Sequence, residues 1–190
     1  MHILGIDPGS HRTGWGVIRL AGSKLRHVDS GTVRAAGATL AERLSHIAQA
    51  LEDILSAYAP AAVAVETVFY AKNARSALLL GHARGVSLAS AARCGVPVFE
   101  YTAGQIKQAA TGRGRAAKEQ VQQMVASLLG VHSGTSLDTS DALAAAICHA
   151  HAAAGPSLAA LGDGKRRPEQ SNTDKPQLRS SIRSFRNEGA

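Results

Sequence analysis

The sequence predicts an α/β domain built on a mixed five-stranded sheet with helices on both faces. Two observations carry this reading. Three strand-like runs open the chain with only short connections between them, which makes an antiparallel meander. Two further apolar runs, 62–66 and 96–100, each follow a helical segment, the arrangement expected of parallel strands. The order β-β-β-α-β-α-β-α is not a plain alternation, so a doubly wound sheet fits poorly.

The first run, Met1-His2-Ile3-Leu4-Gly5-Ile6, ends at Asp7, and Pro8-Gly9 turns the chain. It reads as a buried strand with Asp7 where it leaves the sheet. Residues 14–20 and 24–34 read as the next two strands, joined by a tight hairpin at Ala21-Gly22-Ser23. Thr39 and Glu42 then form a capping box. Leu40, Leu44, Ile47, Leu51, Ile54 or Leu55, and Tyr58 recur at spacings of three and four, giving a helix with one apolar face that ends at Tyr58-Ala59-Pro60. Ala62-Val63-Ala64-Val65-Glu66 is apolar on both faces, as a central parallel strand should be. A long helix is expected over 73–93, a short strand over 96–100, and helices over about 103–110, 117–129 and 138–153.

The chain has 190 residues and a formal charge of +7. No apolar run is long enough to span a membrane, and no signal peptide is visible at the N-terminus, so a cytoplasmic protein is expected. Cys94 and Cys148 form no metal-spacing pattern and read as reduced core residues inside helices. Residues 1–150 hold 14 Lys and Arg against 10 Asp and Glu. Beyond Ala154 the composition turns to Lys, Arg, Ser, Asn, Gln and Pro without periodicity. The expected organisation is therefore one domain over 1–154 and a basic, disordered tail over 155–190.

Four acids stand out by position. Asp7 and Glu66 each end an apolar strand. If those strands are parallel neighbours, their carboxylates lie side by side, about 4.8 Å apart along the sheet. Two such charges repel, and a divalent cation between them resolves the conflict. Asp138 and Asp141, three apart at the start of the last helix, share one face. Each has an ordinary explanation as well: Asp-Pro-Gly suits a type II turn, Glu66 can pair with Lys72 or Arg75, and Asp favours helix N-termini. Together they fit oxygen ligation of two Mg²⁺ ions for hydrolysis of a phosphodiester. The polyanion side comes from Lys107, Arg113, Arg115 and Lys118, with no acid among them up to residue 118, and from Lys72 and Arg75. Phe69, beside Glu66, either closes the core or stacks on a splayed base.

The runs Ile3–Ser10, Thr13–Gly16, Val65-Glu66 through Phe69–Ala74 to Gly81–Gly85, and Asp138–Ala142 resemble the RuvC family of Holliday-junction resolvases, over about residues 1–150. That resemblance implies a ribonuclease H-like fold, a homodimer, and paired nicks in strands of like polarity at a four-way DNA junction, leaving 5′-phosphates. It implies that Asp7, Glu66, Asp138 and Asp141 are the catalytic, Mg²⁺-binding set (Mn²⁺ able to substitute), that Phe69 stacks at the crossover, and that Lys107 and Lys118 hold DNA. The branch-migration proteins RuvA and RuvB are the implied partners. Trp15 stands where the family usually has Tyr, and Arg113-Gly114-Arg115 makes the basic loop unusually basic.

Three other readings are weaker. A YqgF-type RNA nuclease on the same fold is usually shorter and lacks the match from Phe69 to Arg84. A sugar-kinase or actin-like ATPase needs two such domains. A junction-binding module without catalysis does not need four acids, which repel DNA unless metal is bound.

Overall fold

A computed structural model describes residues 1–67, 73–131 and 137–154. Five strands and five helices are present in these residues: β1 His2–Asp7, β2 Arg12–Ala21, β3 Lys24–Arg34, α1 Leu40–Tyr58, β4 Ala62–Thr67, α2 Ala74–Arg93, β5 Val98–Thr102, α3 Ala103–Thr111, α4 Lys118–Leu129 and α5 Leu137–Ala154. The sheet order is β3-β2-β1-β4-β5. β1, β2 and β3 pair antiparallel, while β4 and β5 join parallel to β1 and β4 respectively.

Local sequence explains most boundaries. Ala21 pairs with Lys24, so the hairpin loop is Gly22-Ser23, and Gly22 takes the positive φ of 61° that this tight turn demands. Thr39 caps α1 through the Glu42 N–H while Glu42 reaches back to the Thr39 N–H, the expected capping box. The strand expected at 96–100 begins two residues later. The Val96 N–H bonds the Ala91 carbonyl as α2 ends, which holds Val96 out of the sheet. Pro97 then offers only its carbonyl, to Val63 N–H.

Strand alternation sorts the core into two layers. Leu4, Ile6, Val17, Val63 and Val65 pack with Ile47, Leu51 and Leu55 of α1 and Ala91 of α2. Ile3, Ile18 and Ala64 point the other way, onto Ile106, Val121, Val125, Leu143 and Ile147 of α3, α4 and α5. α5 is almost entirely enclosed, since Ala142–Ala150 are all buried. Glycines let it come so near the sheet. A Cβ on Gly5 would lie 1.9 Å from the Ala142 carbonyl oxygen, one on Gly14 2.1 Å from that of Asp138, and one on Gly16 2.5 Å from the Leu143 side chain. The small face of the sheet therefore sets the height of the helix that carries two of the predicted acids.

One expectation is corrected. Cys148 is buried in α5, but Cys94 caps the C-terminus of α2 and is exposed, because its N–H closes the last turn on the Ser90 carbonyl and the chain leaves the helix there. α2 buries a narrow face of Ala83, Ser87, Ser90 and Ala91, whereas Leu78 is 65% exposed near its start.

Candidate active site

The four predicted acids converge at one end of the sheet. β1 and β4 are parallel with Gly5 opposite Ala64 and Ile6 opposite Val65. The same register sets Asp7 beside Glu66. Strand parity turns both toward α5, because Ile3 and Ala64 lie on that face. Asp7 also pairs with Gly14 of β2, and Gly14 lies directly beneath Asp138 in the first turn of α5. Thr32 of β3, opposite Gly14, adds a hydroxyl contact at 3.3 Å to Thr139, the residue after Asp138. Asp141 follows one turn along the helix.

The electrostatics report that convergence. Burial, then Asp141, Glu66 and Asp138, lift the Asp7 carboxyl from an ordinary 3.8 to about 7, with Lys118 pulling the other way. Burial and Asp141 raise Glu66 as well, against Lys118 and Lys107. Lys118, the first residue of α4, donates to an Asp141 carboxylate oxygen at 2.6 Å, and this hydrogen bond raises its own pKa. A cleft of about 280 Å³ opens beside the acids, lined by Glu66, Asp141, Lys107 and Lys118 with Ala103, Ile106, Val121 and Ala144.

The donor set suits a hard divalent cation. It is made of carboxylate oxygens, with no Cys or His among the four. Among the described residues no three acidic, His or Cys side chains are drawn tightly enough together to form a ready ligand shell. A divalent cation would supply the charge that lets such carboxylates approach one another.

The basic residues divide. Lys107 is half-buried in α3 and Lys118 borders the same cleft. Arg113 and Arg115 are exposed in the connection between α3 and α4. Arg75 is exposed in the first turn of α2, the helix on the opposite face of the sheet from α3 and α4. Phe69 and Lys72 lie outside the described residues, as does the basic tail from residue 155. Sequence reasoning missed the ion pair between Lys118 and Asp141 and the seating of Asp138 on Gly14. The second had a signal in the two glycines at alternate positions of β2, which mark a close approach within a strand.

Comparison with known proteins bears on the fold and the family. A family model described as crossover junction endodeoxyribonuclease RuvC matches residues 3–149. A crossover junction endodeoxyribonuclease RuvC of Citrifermentans bemidjiense is 54% identical over 154 residues, covering 80% of this chain and 94% of that protein. The structure of T. thermophilus RuvC in complex with a Holliday junction substrate is 37% identical, with a TM-score of 0.77 over 81% of this chain and 95% of that one. The yeast mitochondrial Holliday junction resolvase, 11% identical with a TM-score of 0.54 over 78% of each chain, shares the fold. The mixed sheet with its two helical layers is ribonuclease H-like, and the chain belongs to the RuvC family of crossover junction endodeoxyribonucleases.

Proposed function

We propose that this protein resolves four-way DNA junctions by paired nicks in strands of like polarity, through metal-dependent phosphodiester hydrolysis that leaves 5′-phosphates, in recombination and repair. The observation that carries the reading is the placement of Asp7 and Glu66 side by side on β1 and β4, under the Asp138 and Asp141 face of α5. Those four carboxylates would hold Mg²⁺, two ions in our reading, with Mn²⁺ able to substitute. When bound, the metal supplies an activated water and a counter-charge for the leaving oxygen.

The chain's own groups do the rest. Asp7, with its carboxyl near 7, gives up its proton readily around neutral pH, so it can exchange that proton for a cation there. Lys118 occupies Asp141 in the DNA-free protein and sits close enough to the cleft to move onto a phosphate. Lys107 lines the same cleft beside Glu66 and adds a second cation. Arg113 and Arg115 extend the positive surface past the cleft, and Arg75 with Lys72 and Phe69 would meet the junction from the segment that follows β4. Ile106, Val121 and Ala144 give the cleft an apolar wall.

A homodimer is part of the proposal, since two equal sites related by a two-fold axis match a junction of near two-fold symmetry. Exposed Leu78 on α2 supports that helix as part of the contact. RuvA and RuvB are the proposed partners, 1–154 the nuclease domain, 155–190 a basic tail, and the cytoplasm the compartment. No helix among the described residues is long and apolar enough to cross a membrane.

The test is direct. Purified protein is incubated with a labelled mobile four-way junction and with matched linear duplex, each in Mg²⁺, Mn²⁺ or EDTA. Paired metal-dependent nicks in the junction alone are expected. Tight binding without cutting on junctions of varied core sequence would replace the proposal with a binding module.

A further inference from the structure

Asp7 is followed by a turn that an aspartate normally closes with its own side chain. In such a turn the carboxylate accepts the N–H of the residue two positions on, here Gly9. A carboxylate tied up in that way is poorly placed to serve a cation. In this structure the Gly9 N–H goes elsewhere: it donates to the Thr13 hydroxyl oxygen at 3.4 Å, the longer of two bonds that this hydroxyl makes. The same hydroxyl donates to the Gly9 carbonyl at 3.0 Å.

Thr13 itself is fully buried, and its strand needs no such bond for closure. β1 and β2 are already joined through the ladder from His2 opposite Arg19 to Asp7 opposite Gly14. Valine has the same shape and would fill the site without a polar group to satisfy. Among the described residues, the hydrogen bonds of this buried hydroxyl go to Gly9. The loop folds closely on itself here, since a Cβ on Gly9 would lie 2.2 Å from the Arg12 carbonyl oxygen. The loop is pinned at its middle by a side chain from the strand that follows.

We propose that Thr13 is a positioning residue, whose hydroxyl occupies the Gly9 N–H and carbonyl and so leaves the Asp7 carboxylate free to face Glu66 and the acids of α5. The inference rests on the proposed metal-dependent nuclease reading for its consequence, while its cause lies entirely in the loop. Removing the hydroxyl releases the Gly9 N–H to Asp7. The carboxylate then folds back onto its own turn and leaves the cluster.

The test compares wild type, Thr13→Val and Thr13→Ser. Mn²⁺ binding to the DNA-free protein is measured by calorimetry, junction binding in EDTA, and cleavage in saturating Mg²⁺. Losses of this kind from residues that orient ligands run to about 10–100-fold, so T13V is expected to bind Mn²⁺ and to turn over at least about tenfold less well. Its junction affinity in EDTA should stay within about twofold of wild type, and T13S, which keeps the hydroxyl, should behave as wild type throughout. Wild-type Mn²⁺ affinity in T13V overturns the proposal, as does an equal loss in T13S. If T13V does not fold, Thr13→Cys replaces it, because a thiol of similar size is a weak donor and acceptor. Failure of both to fold would make Thr13 a residue of folding alone and refute the positioning role, and so would a wild-type protein with no Mn²⁺ affinity. A wild type that binds Mn²⁺ but leaves junctions intact would refute the proposed function instead, and the metal affinities would still decide on Thr13.

Discussion

Asp7→Asn should make the metal-free protein more stable at pH 8, although it removes a central acid. The folded protein holds the Asp7 proton up to about pH 7, whereas the unfolded chain releases it near 3.8. The stability linked to that proton is fully present below about pH 4 and is lost as pH rises through about 7. The gap of a little over three units sets a ceiling of about 4 kcal/mol at ~1.36 kcal/mol per unit. Relaxation and water entry in a group that is not fully enclosed bring the expected gain to about 2 kcal/mol. Asparagine keeps the size of the side chain and removes the charge, so it should recover that loss. In a chain of this size 2 kcal/mol corresponds to roughly 4–8 °C in Tm. The assay is thermal and denaturant unfolding of both proteins in EDTA at pH 5 and pH 8. The variant should gain most at pH 8 and about a third as much at pH 5, where the unfolded chain has already released the proton that folded Asp7 still holds. Added Mg²⁺ at pH 8 should raise the Tm of wild type and leave that of the variant nearly unchanged. A variant no more stable than wild type at pH 8, or one with the same gain at both pH values, would refute the reasoning.

Two further outcomes follow from the same geometry. Gly14→Ala places a methyl about 2 Å from the Asp138 carbonyl oxygen, so α5 must lift from β2; a stability loss of about 1–3 kcal/mol in denaturant unfolding is expected, with cleavage falling further than junction binding. Lys118→Met breaks the ion pair with Asp141, which is too exposed to matter much for stability, about 0.5 kcal/mol at most. Its measurable effect is on DNA: if the Lys118 ammonium neutralises one phosphate, the slope of log affinity against log salt should become shallower by about 0.9, and an unchanged slope would remove Lys118 from the DNA surface.

How much of this was legible in the sequence depends on the range of the interaction. The α1 boundaries could be read because Thr39, Glu42 and the spacing of Leu40, Ile47 and Leu51 are local signals. The pairing of Asp7 with Glu66 could be anticipated because two apolar strands, each ended by an acid, have few ways to lie in one sheet. The start of β5 was missed by two residues because Val96 is apolar and looks like a strand, while its N–H belongs to the end of α2. Cys94 was misplaced for a related reason, since an alanine-rich context marks a helix without saying where the last turn meets solvent. The bond from Lys118 to Asp141 joins residues 23 apart on different helices, and no local pattern encodes it. Thr13 lies just before the strand expected at 14–20, and only its bonds to Gly9 set it apart.

The fold and the acid cluster oppose each other, and the glycines show how the conflict is contained. Burial, and then the neighbouring acids at this sheet end, raise Asp7 and Glu66, so the site works against stability whenever it is fully ionised without a cation. Letting α5 stand farther from the sheet would relax that repulsion, and larger residues at 5, 14 and 16 would force such a gap. Glycines at those positions instead seat α5 against β1 and β2, with Ala142, Leu143 and Ile147 buried along its length. The apolar packing of the middle of the helix therefore holds its charged first turn in place. That division assigns packing to residues 142–150 and chemistry to 138 and 141 on a single helix. It also explains why the helix carries little polar patterning over residues 142–150, which the sheet and α3 and α4 enclose on every side. The backbone fixes where the acids stand, and a cation would then draw their side chains together, so its binding energy goes into closing a shell whose positions the fold already sets.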